Sequence, residues 1–399
     1  MTENTKKITP IKTIFLTGLI LTFAVSFAVM NVDLSANAQT SENAQMPPNS
    51  KKAIYSSLED RLPGFGGLFL DDAGKLNVYV TDPSKIQSAD ASMFSDKLES
   101  AHLEKGIVVL QGKQPWHQWT KWHQTVDQLL ENRDLGVTMT AVDDMNQALY
   151  IGFEKLDDEK RNTVNDFLTK HNIPLDMVIF DETGKLTPTS HGVTLTSLKG
   201  GVEIQPVGET WDCTLGFIAD KGTTRVAITA GHCESGGRDL AGDQQFKHPH
   251  GGSVKGTEIA NTNKAPPRFS DTLLFAPSIS SNKGQIYVDG ATKTVVSETL
   301  SQVQNDPACS YGSTSHERCG KITQTGVSVW NGGLGGTLHG QAKLNFGSAS
   351  GDSGGPVYKK VTDTTVSAMG IIWCCESSSL SIYSPLSGVE FDQGLLDLT

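Results

Sequence analysis

The sequence contains one short segment whose residue types could present a nucleophilic serine. Gly351-Asp352-Ser353-Gly354-Gly355-Pro356 places a hydroxyl among small residues. A serine hydroxyl is a weak nucleophile that needs a neighbouring base, and glycine permits backbone conformations that a Cβ prevents. We expect the amides of Gly351 and Ser353 to form an oxyanion hole. A glycine-rich loop with an incidental serine is the simpler alternative, and the order of the six residues argues against it.

A serine of this kind requires a histidine base and a carboxylate that orients the histidine. Thr229-Ala230-Gly231-His232-Cys233 follows an apolar run that predicts a buried strand, with His232 at its end. Asp271 precedes another apolar run, and a buried carboxylate there would accept from the histidine Nδ1–H. Three other carboxylates compete for this role in contexts typical of exposed turns: Asp239, Asp243 and Asp289. We therefore predict His232, Asp271 and Ser353 as the catalytic residues.

The order of these three residues, with their flanks, resembles the chymotrypsin-like serine proteases, and most closely the secreted bacterial branch of the streptogrisin and alpha-lytic protease type. Two further segments carry the resemblance, namely Cys213-Thr214-Leu215-Gly216-Phe217 and the Cys309 to Cys319 loop with Gly320-Lys321-Ile322-Thr323 after it. The resemblance covers the chain from about residue 201 onwards. It implies disulfides Cys213–Cys233 and Cys309–Cys319.

Residues 200–399 contain short apolar runs separated by Gly, Asn, Asp and Pro, a spacing typical of an all-β sandwich or barrel. The resemblance implies two antiparallel six-stranded barrels that divide near residues 280–295. His232 and Asp271 would come from the first barrel and Ser353 from the second. We expect peptide or protein substrates and neither a cofactor nor a metal. His248 and His250 are interpreted as a surface turn rather than a metal pair, since no carboxylate or cysteine is placed to complete a site.

The N terminus has the features of a secretory signal peptide. Three lysines precede an apolar stretch over residues 14–30, and Ala36-Asn37-Ala38 forms a small-x-small cleavage pattern. We predict a signal peptide over 1–38 and a secreted product, extracellular or periplasmic, with no membrane association after cleavage. An uncleaved anchor is the alternative. The six cysteines all follow residue 200, which is typical of a disulfide-bonded secreted domain.

The 399 residues suit two or three domains, and the net charge of −11 with no lysine- or arginine-rich run argues against a nucleic-acid partner. Residues 39–199 contain no catalytic constellation and are interpreted as a propeptide that assists folding and blocks the site. Residues 51–104 form its hairpin and helix part. Residues 105–185 show the order βαββαβ, which predicts a ferredoxin-like α+β unit. Processing is predicted within 197–201, and an unrelated accessory domain is the alternative.

The substrate pocket departs from the pattern of the family. Gly347 and Ser348 are expected at its floor, and Trp373 and Cys374 at its wall. Neither floor residue is acidic, so a preference for Lys or Arg is not expected. Cys374 and Cys375 could form a vicinal disulfide, remain thiols or bond another chain. The candidate partners for the inward Asp352 are Arg225, Arg268, Arg318 and a new N-terminal amine.

Three functions fit these features. The favoured one is a secreted serine endopeptidase made as a zymogen. A catalytically silent, protease-like binding protein is the first alternative, although all three catalytic residue types are present. An esterase that uses the same three residues is the second alternative.

Overall fold

The computed structural model describes residues 46–85, 91–183, 197–234, 244–247, 254–262, 268–331, 336–375 and 379–399. The predicted signal peptide 1–38 and the residues Asp239, Asp243, His248 and His250 lie outside this part of the chain. The described residues belong to one compact unit, Gln45–Thr399. None of their helices has the length and apolar character needed to cross a bilayer.

The N-terminal block, residues 46–183, combines four helices with six strands. The helices are α1 Lys51–Arg61, α2 Ser100–Leu103, α3 Trp116–Asp127 and α4 Asp158–Lys170. The strands are β1 Phe65–Leu70, β2 Leu76–Val80, β3 Ile107–Gln111, β4 Val137–Asp143, β5 Ala148–Phe153 and β6 Val178–Glu182. The predicted hairpin is present, because β1 and β2 pair antiparallel. Helix α1 was not predicted, since its polar sequence buries only Ile54, Tyr55 and Leu58.

The order βαββαβ is present in this block, but the ferredoxin-like sheet is not. Strand β3 pairs in parallel with β2 in a separate three-stranded sheet, β1-β2-β3. Strands β4, β5 and β6 form part of another sheet, in which β5 pairs with β6 in parallel. The prediction was wrong because element order does not decide pairing partners, and the hairpin that precedes β3 supplies an edge that β3 joins.

The described residues of the C-terminal half, from residue 197 onwards, form the remaining strands and one α-helix. The first group of strands is β7 Leu198–Gly200, β8 Glu203–Pro206, β9 Cys213–Thr214, β10 Phe217–Lys221, β11 Thr224–Thr229, β12 Gln245–Lys247, β13 Val254–Asn261 and β14 Leu273–Pro277. The second group is β15 Ser281–Val288, β16 Ala291–Glu298, β17 Pro307–Gly312, β18 His316–Asn331, β19 Gly336–Leu344, β20 Pro356–Lys360, β21 Thr365–Cys374 and β22 Ser381–Pro385. Helix α5, Leu386–Gln393, follows β22.

Two sheets hold these strands. The first is seven-stranded, in the order β10-β11-β14-β13-β12-β8-β9, one strand more than the six predicted. In the second sheet β17, β18, β19, β22, β21 and β20 form a closed ring of antiparallel pairs. Strand β16 pairs in parallel with β21 outside this ring. The C-terminal half is therefore a mostly-β structure of two curled sheets.

The predicted domain boundary at residues 199 and 200 falls inside a strand. Strand β7 pairs in parallel with β15, and the Leu198 amide donates to Ser280 O at 3.0 Å. Leu198 is fully buried. A peptide bond in a paired strand is not free to enter the active site of a protease. The predicted processing segment 197–201 therefore belongs, from Leu198 onwards, to the C-terminal half.

The N-terminal block and the C-terminal half share one sheet. Strand β4 pairs antiparallel with β18, with Thr140 opposite Ser328 and Met139 opposite Val329. The resulting strand order is β6-β5-β4-β18, so the block adds three strands to the second sheet beside β18. Strand pairing satisfies backbone groups that an exposed edge would leave to water. The block is thus joined to the C-terminal half by main-chain hydrogen bonds as well as by side chains.

Candidate active site

Three separate parts of the C-terminal half bring His232, Asp271 and Ser353 together. His232 lies in a short 3-10 turn, Gly231–Cys233, directly after β11. Asp271 lies two residues before β14, which pairs with β11 so that Leu273 is opposite Thr229. Ser353 lies in the turn between β19 and β20. The first sheet thus supplies the imidazole and the carboxylate, and the second sheet supplies the hydroxyl.

His232 connects the other two side chains through hydrogen bonds. Its Nε2 lies 2.9 Å from Ser353 Oγ, and its Nδ1 forms a very short contact with Asp271 Oδ2. The other carboxylate oxygen, Asp271 Oδ1, accepts the backbone N–H of His232 at 3.0 Å. Asp271 is fully buried and Ser353 is 1% exposed, whereas the His232 side chain is 12% exposed. With the Nδ1–H tautomer, His232 can accept the Ser353 proton through Nε2.

The backbone around Ser353 has the conformation that the sequence predicted for it. Gly351 has φ +105° and Gly354 has φ +88°, values that favour glycine. A Cβ at Gly354 would come within 2.2 Å of Thr214 O. The Thr214 amide donates to Ser353 O at 2.7 Å. Among the residues that the structure describes, none accepts a hydrogen bond from the amide of Gly351 or Ser353, which leaves both donors available for a ligand.

Asp352 points away from the site, as expected, and its carboxylate accepts hydrogen bonds from backbone amides. Its Oδ1 accepts the backbone N–H of Thr314 at 3.1 Å and of Ser315 at 2.9 Å. Its Oδ2 accepts the Ala349 N–H at 2.6 Å. Three amides satisfy a buried carboxylate without an opposite charge. Arg225 instead pairs with Asp220, at 2.5 Å.

The close packing around this carboxylate explains a glycine in the neighbouring strand. At Gly312 a Cβ would come within 2.0 Å of the Asp352 carboxylate. Strand β17 therefore approaches the turn that carries Ser353 only because position 312 has no side chain.

The residues predicted for the substrate pocket lie close to one another. Ser348 Oγ donates to Cys375 O at 2.7 Å and accepts the Cys375 N–H at 3.1 Å, which ties the predicted floor to the predicted wall. Trp373 is 3% exposed, and its indole N–H donates to Gln341 Oε1 at 2.8 Å. Trp373 is thus held by the β19 strand. Gly347, also predicted at the floor, is buried next to Ser348.

All six cysteines are disulfide-bonded. The pairs are Cys213–Cys233, Cys309–Cys319 and Cys374–Cys375. The first two are those that the resemblance implied, and the third selects the vicinal disulfide from the alternatives for the adjacent pair. Cys213–Cys233 closes the chain directly beside His232.

The remaining candidates for other chemistry do not form sites. Asp289, the described competitor of Asp271, is exposed and lies 2.8 Å from His316 Nδ1. Two groups of potential metal ligands exist in the described part of the chain, Cys213 with His232 and Cys233, and Cys309 with Glu317 and Cys319. In both groups the sulfur atoms are bonded to each other, so neither group offers a thiolate to a metal.

Sequence reasoning missed the hydrogen bonds that hold Asp271 itself. Its backbone N–H donates to Ser384 Oγ at 3.0 Å, and Ser384 Oγ donates in turn to Gln341 Oε1 at 2.9 Å. Ser384 lies 113 residues after Asp271 in a strand of the other sheet. No local pattern signals such a contact, because it depends on how the two sheets pack.

Comparison with known proteins relates this arrangement to a known class. No family model matches the chain. Streptogrisin-C of Streptomyces griseus is 28% identical over 193 residues, which cover 47% of this chain and 38% of that protein. The chain is similar to chymotrypsin-like bacterial serine proteases. This confirms the resemblance that the motifs indicated, although the chain matches less than two fifths of the length of this relative.

Several solved structures of the same class are also similar to the chain. A glutamic acid specific serine protease that uses a histidine triad in substrate binding is 24% identical, with a TM-score of 0.41, and covers 51% of this chain and 100% of its own. The alpha-lytic protease homolog N4 is 22% identical, with a TM-score of 0.40 and the same coverage. Cellulomonas bogoriensis chymotrypsin is 22% identical, with a TM-score of 0.39, and covers 51% and 98%.

Proposed function

We propose that the protein is a secreted serine endopeptidase, made as a zymogen, that hydrolyses peptide bonds through an acyl-enzyme. The observation that carries this proposal is the position of His232 between a buried carboxylate and a serine hydroxyl. The similarity to streptogrisin-C supports a serine protease. A binding protein without catalytic activity would not need Ser353, His232 and Asp271 in hydrogen-bonded positions. No described residue lies between Ser353 Oγ and His232 Nε2, which form a direct hydrogen bond.

In the proposed reaction Ser353 Oγ attacks the scissile carbonyl while His232 Nε2 takes its proton. The protonated His232 then gives that proton to the leaving amine, and water releases the acyl group by the reverse sequence. Asp271 holds the Nδ1–H tautomer and stabilises the imidazolium. The amides of Gly351 and Ser353 stabilise the oxyanion, because they are donors that no described residue occupies.

We also propose that the N-terminal block is a propeptide that assists folding and inhibits the protease. Its strand β4 adds to β18, which is the main-chain mode of β-augmentation. The C-terminal half is built from pairings between distant strands, and such topologies fold slowly. A bound block that already offers strands β4 to β6 would stabilise the native pairing of β18 with β19 by mass action.

Polar side chains form specific contacts across this junction, and one pair is fully buried. His102 Nε2 lies 2.8 Å from Asp306 Oδ1, and the two side chains are 1% and 0% exposed. Ser328 Oγ donates to Asp127 Oδ2 at 3.0 Å. Buried polar pairs of this kind fix one docking geometry, since a shifted geometry would leave the polar atoms without partners. The contacts therefore support a dedicated partner rather than an unrelated accessory domain.

The position of the block supports inhibition. Met139, Ala141 and Tyr150 of strands β4 and β5 belong to the same buried apolar cluster as Trp373 and Cys374. The block thus shares a buried apolar core with two residues of the predicted pocket wall. Because β7 starts at Leu198, we place the activating cleavage before Leu198 rather than at residue 199.

The catalytic assignment is tested with Ser353→Ala in the full-length chain. We expect a folded protein whose peptide hydrolysis falls by several orders of magnitude and which a fluorophosphonate probe no longer labels. Ser315→Ala is the matched control. Ser315 Oγ is buried without a hydrogen-bond partner, and its backbone amide, which donates to Asp352, is unchanged by the substitution.

Peptide and ester substrates are assayed side by side to distinguish the alternatives. Ester hydrolysis without peptide hydrolysis in the parent would indicate an esterase. A parent that neither hydrolyses substrate nor reacts with the probe would indicate a binding protein. Peptidase activity of Ser353→Ala within tenfold of the parent would exclude Ser353 as the nucleophile.

A further inference from the structure

The segment that carries Asp271 is held by side chains rather than by strand pairing. Residues 269–272 lie outside every strand. Phe269 O accepts from Gln341 Nε2 at 2.8 Å, and the Asp271 N–H donates to Ser384 Oγ at 3.0 Å. The Thr272 N–H donates to Thr262 Oγ1 at 2.9 Å. The direction of the Asp271 side chain therefore depends on these contacts and not on a sheet ladder.

Asp392 supplies the acceptor for the two amides that precede Asp271. Its Oδ2 accepts the Phe269 N–H at 2.9 Å, the Ser270 N–H at 2.8 Å and the Ser270 hydroxyl at 2.9 Å. Three donors converge on one oxygen of a carboxylate that lies 121 residues after Asp271 in sequence, near the end of α5. Hydrogen bonds to an ionised acceptor are shorter and stronger than neutral ones.

The rest of α5 is packed against the same segment. A Cβ at Gly388 would come within 2.4 Å of Phe269 O, so the helix touches the backbone there. The rings of Phe269 and Phe391 meet edge to face, with centroids 5.0 Å apart. Gln393 Nε2 donates to Thr272 O at 3.1 Å. The C-terminal helix thus contacts the chain on both sides of Asp271.

We propose that Asp392 is a positioning residue for the reaction: its carboxylate fixes the backbone of Phe269 and Ser270 and so aims Asp271 at His232. This inference rests on the proposed function. It assigns to α5 the task of aligning a group that belongs to the first sheet with Ser353, which belongs to the second.

The protonation of Asp392 is expected to influence this alignment. Burial raises the pKa of Asp392 to about 6, while the hydrogen bonds from Ser270 and Phe269 and the charge of Arg268 oppose this shift. Other titratable groups near the contact are Asp271 itself, His339, whose amide donates to Arg268 O, and Glu390 on the same helix, whose Oε1 accepts the Leu396 N–H. Asp392 is therefore ionised at neutral pH and becomes protonated as the pH falls through about 6.

The sign of the stability effect separates the proposed role from a stabilising one. A carboxyl whose pKa is raised on folding binds more protons in the folded state, so stability decreases as the pH rises from about 4 to 6. Ionisation of Asp392 therefore lowers the free energy of unfolding. We interpret this loss of stability as a consequence of the need for a carboxylate that positions Asp271.

The experiment compares Asp392→Ala, Asp392→Asn and the control Glu390→Ala in the processed protein. Asp392→Ala removes the acceptor, and we expect kcat to fall about 10- to 100-fold with KM within about twofold, since a displacement of about 1 Å can cost 10²-fold. Asp392→Asn retains an oxygen acceptor without the negative charge and should recover kcat only in part. Glu390 lies on the same helix, and its Oε1 accepts the Leu396 N–H, so Glu390→Ala should leave kcat unchanged.

The pH profile supplies a readout that altered stability alone would not change. In the parent, protonation of Asp392 should add an ionisation near pH 6 to the acid limb of the kcat/KM profile. Asp392→Asn should lack this ionisation. Equal kcat for Asp392→Ala and Glu390→Ala, equal losses in both Asp392 variants, or an unchanged acid limb in Asp392→Asn would each overturn the inference. A parent without peptidase activity would instead remove the proposed function.

Discussion

Replacing Asp271 with Asn tests the candidate site most sharply, because the structure dictates how the amide must orient. Asp271 Oδ1 accepts the backbone N–H of His232, a donor that cannot change. The Asn oxygen must therefore take this position, and the amide NH₂ must face His232 Nδ1. Nδ1 then becomes an acceptor, so Nε2 carries the ring proton and can no longer accept the proton of Ser353.

The size of the effect follows from two contributions. Restoring the productive tautomer would require the opposite Asn orientation. The His232 backbone N–H would then face an NH₂ group and lose its acceptor, which costs about 1–3 kcal/mol. The lost carboxylate also removes about 4 kcal/mol of attraction to the developing imidazolium, for charges about 4 Å apart at an effective dielectric constant of about 20. The lower bounds sum to about 5 kcal/mol, which corresponds to roughly 10⁴-fold in rate.

The assay measures kcat/KM on a peptide substrate. A recognition site for an added protease, placed between residues 184 and 196, ensures that parent and variants are processed equally. Asp289→Asn is the control, since this carboxylate is exposed and contacts only the second sheet's His316 and Glu317 in the described part of the chain. Activity of Asp271→Asn within tenfold of the parent, or an equal loss in Asp289→Asn, would refute the reasoning.

Two further predictions concern the propeptide and the pocket. After cleavage before Leu198, His102→Ala should raise the dissociation constant of the N-terminal block about 100-fold. The reason is that removing one partner of a buried pair costs about 3 kcal/mol. Dissociation of the block is measured as the protease activity that appears on dilution. His117→Ala, at an exposed position, is the control. Equal release of the block in both variants would contradict the prediction. The mature enzyme should cleave best after uncharged residues of small or medium size, since Gly347 and Ser348 are neutral and Trp373 is bulky. A peptide-library profile dominated by Arg, Lys or Glu would show this to be wrong.

Local patterns predicted many strands because burial of apolar runs decides them. The apolar runs Arg225–Thr229, Gly336–Leu344, Pro356–Lys359 and Ser367–Trp373 predict strands. Strands β11, β19, β20 and β21 lie at these positions, with ends that agree within two residues. Short or polar strands such as β8, β12 and β13 were missed. Strands β8 and β12 pair with each other although they are not consecutive in sequence, so no local pattern reveals this pairing.

The partner of Asp352 shows the same limit at the level of side chains. A buried carboxylate must be satisfied, and the sequence makes that requirement visible. It does not show whether the donors are arginines or amides, because amides occur in every residue. Two of the three amides that bind Asp352, those of Thr314 and Ser315, lie in the loop that joins β17 to β18, and the sequence does not show that this loop reaches Asp352.

The sequence by itself determined which residues could do chemistry, since the types and spacing around His232, Asp271 and Ser353 suit nucleophilic catalysis and little else. It also determined the βαββαβ order of the elements over residues 105–185. Only the tertiary structure decided that β3 pairs with β2 and that β4 pairs with β18. It also decided that α5 accepts a hydrogen bond from the segment before Asp271. The physical reason is that pairing and docking maximise burial and hydrogen bonding over the whole chain, and the partners in these contacts lie up to more than a hundred residues apart.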